Sequence, residues 1–146
     1  MARTKASQVT KDLRERLGEI RPDNGYLTDI KNVYGPTDRV NDNDPKPYLL
    51  VRPASDSRTG TAKTQAGRVR LFEVEARFGK SAGEDELDEI HVDVLRALGF
   101  GHEAEDRKFP GLVEDEDEAV QEFAAEGRNY HSTTITIGVF YVETYN

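Results

Sequence analysis

Apolar positions along this chain recur at two periods, and the periods separate helices from strands. Val9, Leu13, Leu17 and Ile20 form one stripe of an amphipathic helix, while Lys11, Asp12, Arg14, Glu15 and Arg16 fill its other faces. Gly18 and Pro22 close that pattern, which predicts a helix over residues 5–18. A second stripe, Leu87, Ile90, Val94, Leu95 and Leu98, predicts a helix over residues 84–98. Glu84, Asp85, Glu86, Asp88 and Glu89 crowd its first turns, where the helix dipole favours negative charge, and Gly99 suits its C-terminal end. Ser81-Ala-Gly-Glu84 has capping-box spacing, with the Ser81 hydroxyl expected on a free backbone donor.

The longest run of β-branched and aromatic residues is the last, His131 to Tyr145. Ile135, Ile137, Val139 and Tyr141 share one face at period two; Thr134, Thr136, Phe140 and Val142 share the other, polar first and apolar later. This predicts a long sheet strand, laid down last. No later element follows to cover Phe140, Val142 and Tyr145, so they are expected under the first helix or a neighbouring subunit. Arg68 to Phe78 predicts a second long strand whose apolar parity switches between Leu71 and Phe72. The switch implies either a bulge or a strand covered on both faces. Tyr26–Ile30, extended by Val33-Tyr34 as far as Gly35-Pro36, predicts a short strand, and Tyr48–Val51 a brief one halted by Pro53. Val120 and Phe123 anchor a short element of undefined kind within the poorly patterned residues 100–128. The sum is one domain, residues 1–146, of α+β class: a single mixed or antiparallel sheet of about four to five strands carrying two main helices.

With 36% hydrophobic and 33% charged residues, the core is expected to be economical and the loops long and polar. Residues 53–67 have no periodicity and predict a mobile polar loop. Across residues 52–70, Arg52, Arg58, Lys63, Arg68 and Arg70 face only one acid, Asp56. No aromatic is interleaved, so base stacking is not expected; the stretch reads as an arm that orders against an acidic protein partner. The net charge of −8 opposes general nucleic-acid affinity. It divides unevenly, +5 over residues 1–80 and −13 over 81–146, which gives either a solvated acidic surface or two surfaces that attract between subunits.

The absence of cysteine excludes disulfides, thiol catalysis and cysteine metal sites. No apolar run approaches the about eighteen residues of a membrane span, and no apolar signal region follows Met1, so the expectation is a protein made in the cytoplasm, without a membrane. His91, His102 and His131 are isolated, and no His-Glu-x-x-His or Gly-x-Ser-x-Gly motif occurs. Gly99-Phe-Gly101 and Gly60-Thr-Ala-Lys63-Thr64 miss the phosphate-binding spacings. Asp38, Asp42 and Asp44 lack the glycine and closing glutamate of a calcium loop. Glu114–Glu118 reads as a solvated block. No catalytic, metal or cofactor residue is assigned, and an enzyme is not expected.

The order of elements carries a resemblance. An amphipathic helix leads into Asn24-Gly-Tyr-Leu-Thr-Asp-Ile30 and Val33-Tyr-Gly35, then Pro47-Tyr-Leu-Leu-Val51, a polar stretch, a strand, the helix Asp85–Leu98 and a last long strand. This is similar to the tail terminator, or tail completion, family of long-tailed bacteriophages, over most of the chain except residues 100–128. The resemblance implies a structural virion protein that forms a hexameric ring on the head-proximal end of the tail. It would end tube polymerisation, contact the tail tube protein and the head–tail connector protein, and let genomic double-stranded DNA pass its lumen. The virion would be its place, after assembly in the host cytoplasm. The family has no catalytic residues to transfer. Six copies at −8 each would line an acidic passage that repels DNA. Candidate interface residues are Arg52, Arg58, Lys63, Arg68, Arg70, Phe140, Val142 and Tyr145. The alternatives are another head–tail joining or neck protein, a small intracellular α+β enzyme, or a binding module using the basic arm on nucleic acid.

Overall fold

The computed structural model describes residues 4–41, 43–100, 118–124 and 129–145. The first helix, α1, spans Lys5–Leu17 and the second, α2, Glu84–Ala97. Strands β1 (Val33–Tyr34), β2 (Tyr48–Ala62), β3 (Gln65–Gly79), β4 (Glu118–Glu122) and β5 (Tyr130–Thr144) form one mixed sheet in the order β1-β2-β3-β5-β4. β1 runs parallel to β2, and every other pairing is antiparallel. The protein is therefore of α+β class, a five-stranded sheet with two helices.

The apolar stripes define where the helices lie. Val9, Leu13 and Leu17 of α1 and Leu87, Ile90 and Val94 of α2 join Leu49, Val51, Phe72, Val74, Ile135 and Ile137 in one buried cluster. Both helices thus cover the same face of the sheet. Each large side chain fully buried there contributes about 1.5–3 kcal/mol relative to exposure. The start of α2 is secured differently from the capping-box expectation. Its N-cap is Gly83, whose N–H donates to the Glu86 carboxylate at 2.8 Å, so the Ser81 hydroxyl is not the cap. Gly99, at φ 97°, takes the left-handed conformation that ends the helix, as its position predicts.

Tyr26–Ile30 is not a strand. The carboxylate of Asp93, fully buried on α2, accepts from the Leu27 N–H at 2.9 Å, the Thr28 N–H at 2.7 Å and the Thr28 hydroxyl at 2.6 Å. Donors that a strand would offer a neighbour are instead held by one side chain, and only Val33-Tyr34 pairs in the sheet. This clamp ties the chain after α1 to α2.

The largest departure concerns residues 53–67, which do not form a loop. β2 runs through Pro53 to Ala62, turns at Lys63-Thr64, and returns as β3 from Gln65. Pro53 is tolerated because β1 pairs β2 only at Leu49 and Leu50, leaving β2 beyond them at the sheet edge, and because the register shifts between Pro53 and Ser55. A second shift lies between Arg58 and Gly60. β3 itself pairs without interruption to β5 from Gln65↔Thr144 to Gly79↔Tyr130. The irregularity implied by its parity switch therefore sits in β2, across from it.

Candidate functional site

β4 pairs β5 only from Ser132 to Thr136, so the distal sheet is a three-stranded ribbon of β2, β3 and β5. Along β3, the helix-side positions Phe72, Val74, Ala76 and Phe78 are buried. The next two on that face are Arg70 and Arg68, and the apolar residues Leu71 and Val69 point to the open face. Apolar character crosses from one face to the other because the helical cover thins toward the start of α1.

On the helix side, Asp56 of β2 gathers what lies there. It accepts from Arg70 Nε at 3.0 Å, from Arg68 Nε and from the Tyr141 hydroxyl, while Arg70 Nη1 also donates to the Thr10 hydroxyl of α1 at 3.0 Å. Burial pushes the Asp56 carboxyl up, but the bonds from Tyr141, Arg68 and Arg70 outweigh it and hold the group below the ordinary carboxylate value. The same contact, together with burial, pushes the Tyr141 phenol up to about 12. Beside this cluster, Glu143 caps α1: its carboxylate accepts from the Lys5 and Ala6 N–H groups at 3.0 and 3.2 Å. The end of β5 is thereby fixed to the start of the chain's first helix.

The open face of the same ribbon is apolar. Phe140 pairs Val69 across the strands, its ring lies over Gly67, and Val142 pairs Gly67. A Cβ at Gly67 would meet the Phe140 ring at 3.2 Å, so the glycine admits the close approach. Tyr145, 62% exposed, lies past the end of β5 and its hydroxyl accepts from Arg68 Nη1 at 3.5 Å on the helix side, while Phe140 and Val142 remain 46% and 41% exposed on the open face. The expectation that the first helix covers them is corrected: α1 lies on the opposite face with Tyr141 and Glu143. Nearer the helices' thick end the open face is charged, with Arg52 at 3.0 Å from both Glu73 and Glu75, and Arg77 at 2.9 Å from Glu75. Burial pushes the Glu75 carboxyl up, and bonds from Arg77 and Arg52 pull it below its ordinary value.

The basic arm is accordingly not a free cationic surface. Arg52, Arg68 and Arg70 are engaged by carboxylates of their own sheet; Arg58 and Lys63 near the hairpin tip stay exposed, with no ion pair among the described residues. The hub Asp56 and its partner Tyr141 were not singled out by sequence reasoning. The signal available was that Asp56 is the one acid within a run of five cations.

Beside α1, on the β2 side, an open groove of about 430 Å³ is lined by Lys11, Arg14, Glu15, Thr10, Pro53 and Arg70 among others. Arg14 gives Nη2 to the Val51 carbonyl at 3.3 Å and packs under Gly35, where a Cβ would lie 2.7 Å from the guanidinium carbon. Its buried Nε has no partner, and no carboxylate pairs with it among the described residues.

His131 joins two segments, its Nδ1 accepting from the Ala124 N–H at 2.7 Å and its Nε2 lying 3.2 Å from the Lys80 carbonyl. His102, Asp42 and Glu114–Asp117 lie outside the described residues. Among the described residues no group of three or more His, Asp or Glu is placed to hold a metal ion, and no helix is long and apolar enough to cross a membrane. No family model matches the chain, and no curated protein matches it in sequence.

Proposed function

We propose that the protein is a structural subunit of a phage tail. In this reading it assembles as a hexameric ring, caps the head-proximal end of the tail tube, ends tube polymerisation and offers the head connector a joining face. The observation that carries the reading is the apolar pair Phe140 and Val142 on the open face of the ribbon. An exposed aromatic and aliphatic row on a long, rigidly paired strand is a surface made to be covered, and a contact with another protein covers it. We assign the strip to the tube end, because it lies on the sheet face opposite α1 and a neighbouring structure can cover it without moving the core. The order of the two helices and the long strands β3 and β5, similar to that of tail terminators, supports the same assignment. The work proposed is adhesion and geometry, with no catalysis. A nucleic-acid role for the basic arm loses support, since three of its five cations are already paired.

Electron microscopy of tail-tube subunits polymerised with and without the protein tests this. Tubes of limited length bearing a ring at one end are expected, and Phe140→Asp should yield folded protein that leaves tubes uncapped. Tubes of unchanged length, with no protein at their ends, would sink the proposal.

A further inference from the structure

A ring requires two different patches per subunit that meet around a closed rotation. The structure offers two such patches at opposite ends of the strand order. One is the groove between α1 and β2, where Arg14 lacks a carboxylate partner among the described residues and Lys11 is held only loosely, 3.6 Å from Glu15. Its lining residues Lys11, Arg14 and Glu15 lie on the flank of α1 turned away from α2, whose side Arg16 marks by donating to the Ala97 carbonyl at 2.6 Å. The other patch is the β4 edge. There Asp88 of α2 accepts from Gln121 of β4 at 2.7 Å, which places the acidic flank of α2 beside that strand, and Glu84 and Asp88, one helical turn apart, are exposed.

We infer that the groove between α1 and β2 takes the acidic edge formed by α2 and β4 of a second copy of this chain, with the carboxylates of Glu84 and Asp88 meeting Lys11 and Arg14. Three features converge on this occupant. The two patches are opposite in sign, as the +5 and −13 portions of the chain already are. They lie at opposite sheet edges, so head-to-tail repetition brings each groove to a neighbour's edge and leaves the apolar strip unobstructed. The partly buried Arg14 guanidinium, short of acceptors, gains from a carboxylate what a neutral partner cannot supply. This inference rests on the ring reading and adds to it which surfaces close the ring.

Sedimentation of the full-length protein at low and high salt tests it with two variants. The first, Lys11→Glu with Arg14→Gln, reverses the groove; the second, Glu84→Lys with Asp88→Lys, reverses the edge. The wild type should self-associate at low salt and dissociate as salt screens the contact. Each variant alone should associate about 30-fold or more weakly. Mixed in equal amounts, they should recover association, because every groove then faces an edge of opposite charge. Thermal melts of both variants establish that they fold; a groove variant that does not is replaced by Lys11→Glu alone. Self-association that neither variant weakens overturns the inference and leaves the ring reading intact. A wild type that stays monomeric at low salt also overturns it, and tube capping then decides the ring reading separately.

Discussion

Strand β3 passes through two environments in fifteen residues. From Phe72 to Phe78 its helix-side residues are buried beneath α1 and α2, and its open face is a ladder of ion pairs among Arg52, Glu73, Glu75 and Arg77. From Gln65 to Leu71 the assignment reverses: the helix side carries Arg68 and Arg70 around Asp56, and the open face carries Val69 and Leu71 against Phe140. The two halves share hydrogen-bonding geometry and differ only in what covers them. The first half is stabilised by burial inside the subunit. The second leaves its apolar surface exposed and holds its inner face by charge.

The sharpest way to break this contrast is to remove the same ring from either half. Phe72 is fully buried, so Phe72→Ala removes its transfer energy and leaves a cavity between helices and sheet. A loss of about 3–5 kcal/mol is expected, read as a fall in denaturant midpoint at unchanged slope. A cost near that of a surface substitution would mean that the helices do not seal this half.

Asp56→Asn tests the polar half. It leaves Arg68 and Arg70 partly buried without their counter-charge, at an expected cost of about 1–3 kcal/mol at neutral pH. The folded carboxyl titrates below the ordinary value of 3.8, so its stabilisation is fully present above that pH and is lost as pH falls through the lower folded value. The wild type should therefore lose stability in acid more steeply than Asp56→Asn, with Glu75 contributing in the same direction to both. At the alkaline end Tyr141 acts with the opposite sign. Its stabilisation is present below its ordinary value of 10.0 and lost as pH rises toward about 12, and Tyr141→Phe should flatten that limb. Parallel acid curves for wild type and Asp56→Asn would remove Asp56 as the hub.

Much of the covered half was legible in sequence, because burial there writes itself as period. The stripes of α1 and α2 and the alternation of Ile135, Ile137 and Val139 each record a single covered face. The ribbon was illegible for the same reason. Residues 54–62 are largely exposed on both faces, so no alternation marks them as strand, and Pro53 looks like a stop unless β2 is known to be at an edge there. The turn into Asp93 failed differently: a buried acid 65 and 66 positions from the Thr28 and Leu27 groups it holds leaves no local pattern. The candidate site was legible in part. Phe140, Val142 and Tyr145 stood out as apolar residues without cover; the pairing of Arg52, Arg68 and Arg70 depends on strand register, which sequence alone did not give.

Where the two halves meet helix α1, Glu143 sets the joint. Glu143→Ala removes the acceptor for the Lys5 and Ala6 N–H groups, leaving Thr4 as the remaining side-chain cap. A cost of about 0.5–2 kcal/mol is expected. Hydrogen exchange should quicken in the first turn of α1 and in the end of β5, while Leu87 to Val94 in α2 keeps its protection. Loss of protection throughout α2 would show that ribbon and core are one cooperative unit rather than two regions joined at a helix end.

The smallest effect returns to the open face. Phe140→Ala is the same chemical change as Phe72→Ala on a neighbouring strand, yet Phe140 is 46% exposed and its ring lies over Gly67. A cross-strand contact of this kind contributes below about 1 kcal/mol, and removing it opens no cavity. The expected result is a melting curve close to wild type; if the proposed role holds, it comes with weakened capping of the tail tube, since a partner would then supply the buried area that gives this ring its worth. The paired outcomes decide the matter. If Phe140→Ala destabilises the isolated chain as much as Phe72→Ala does, the open face is part of the subunit's own core and cannot be its joint.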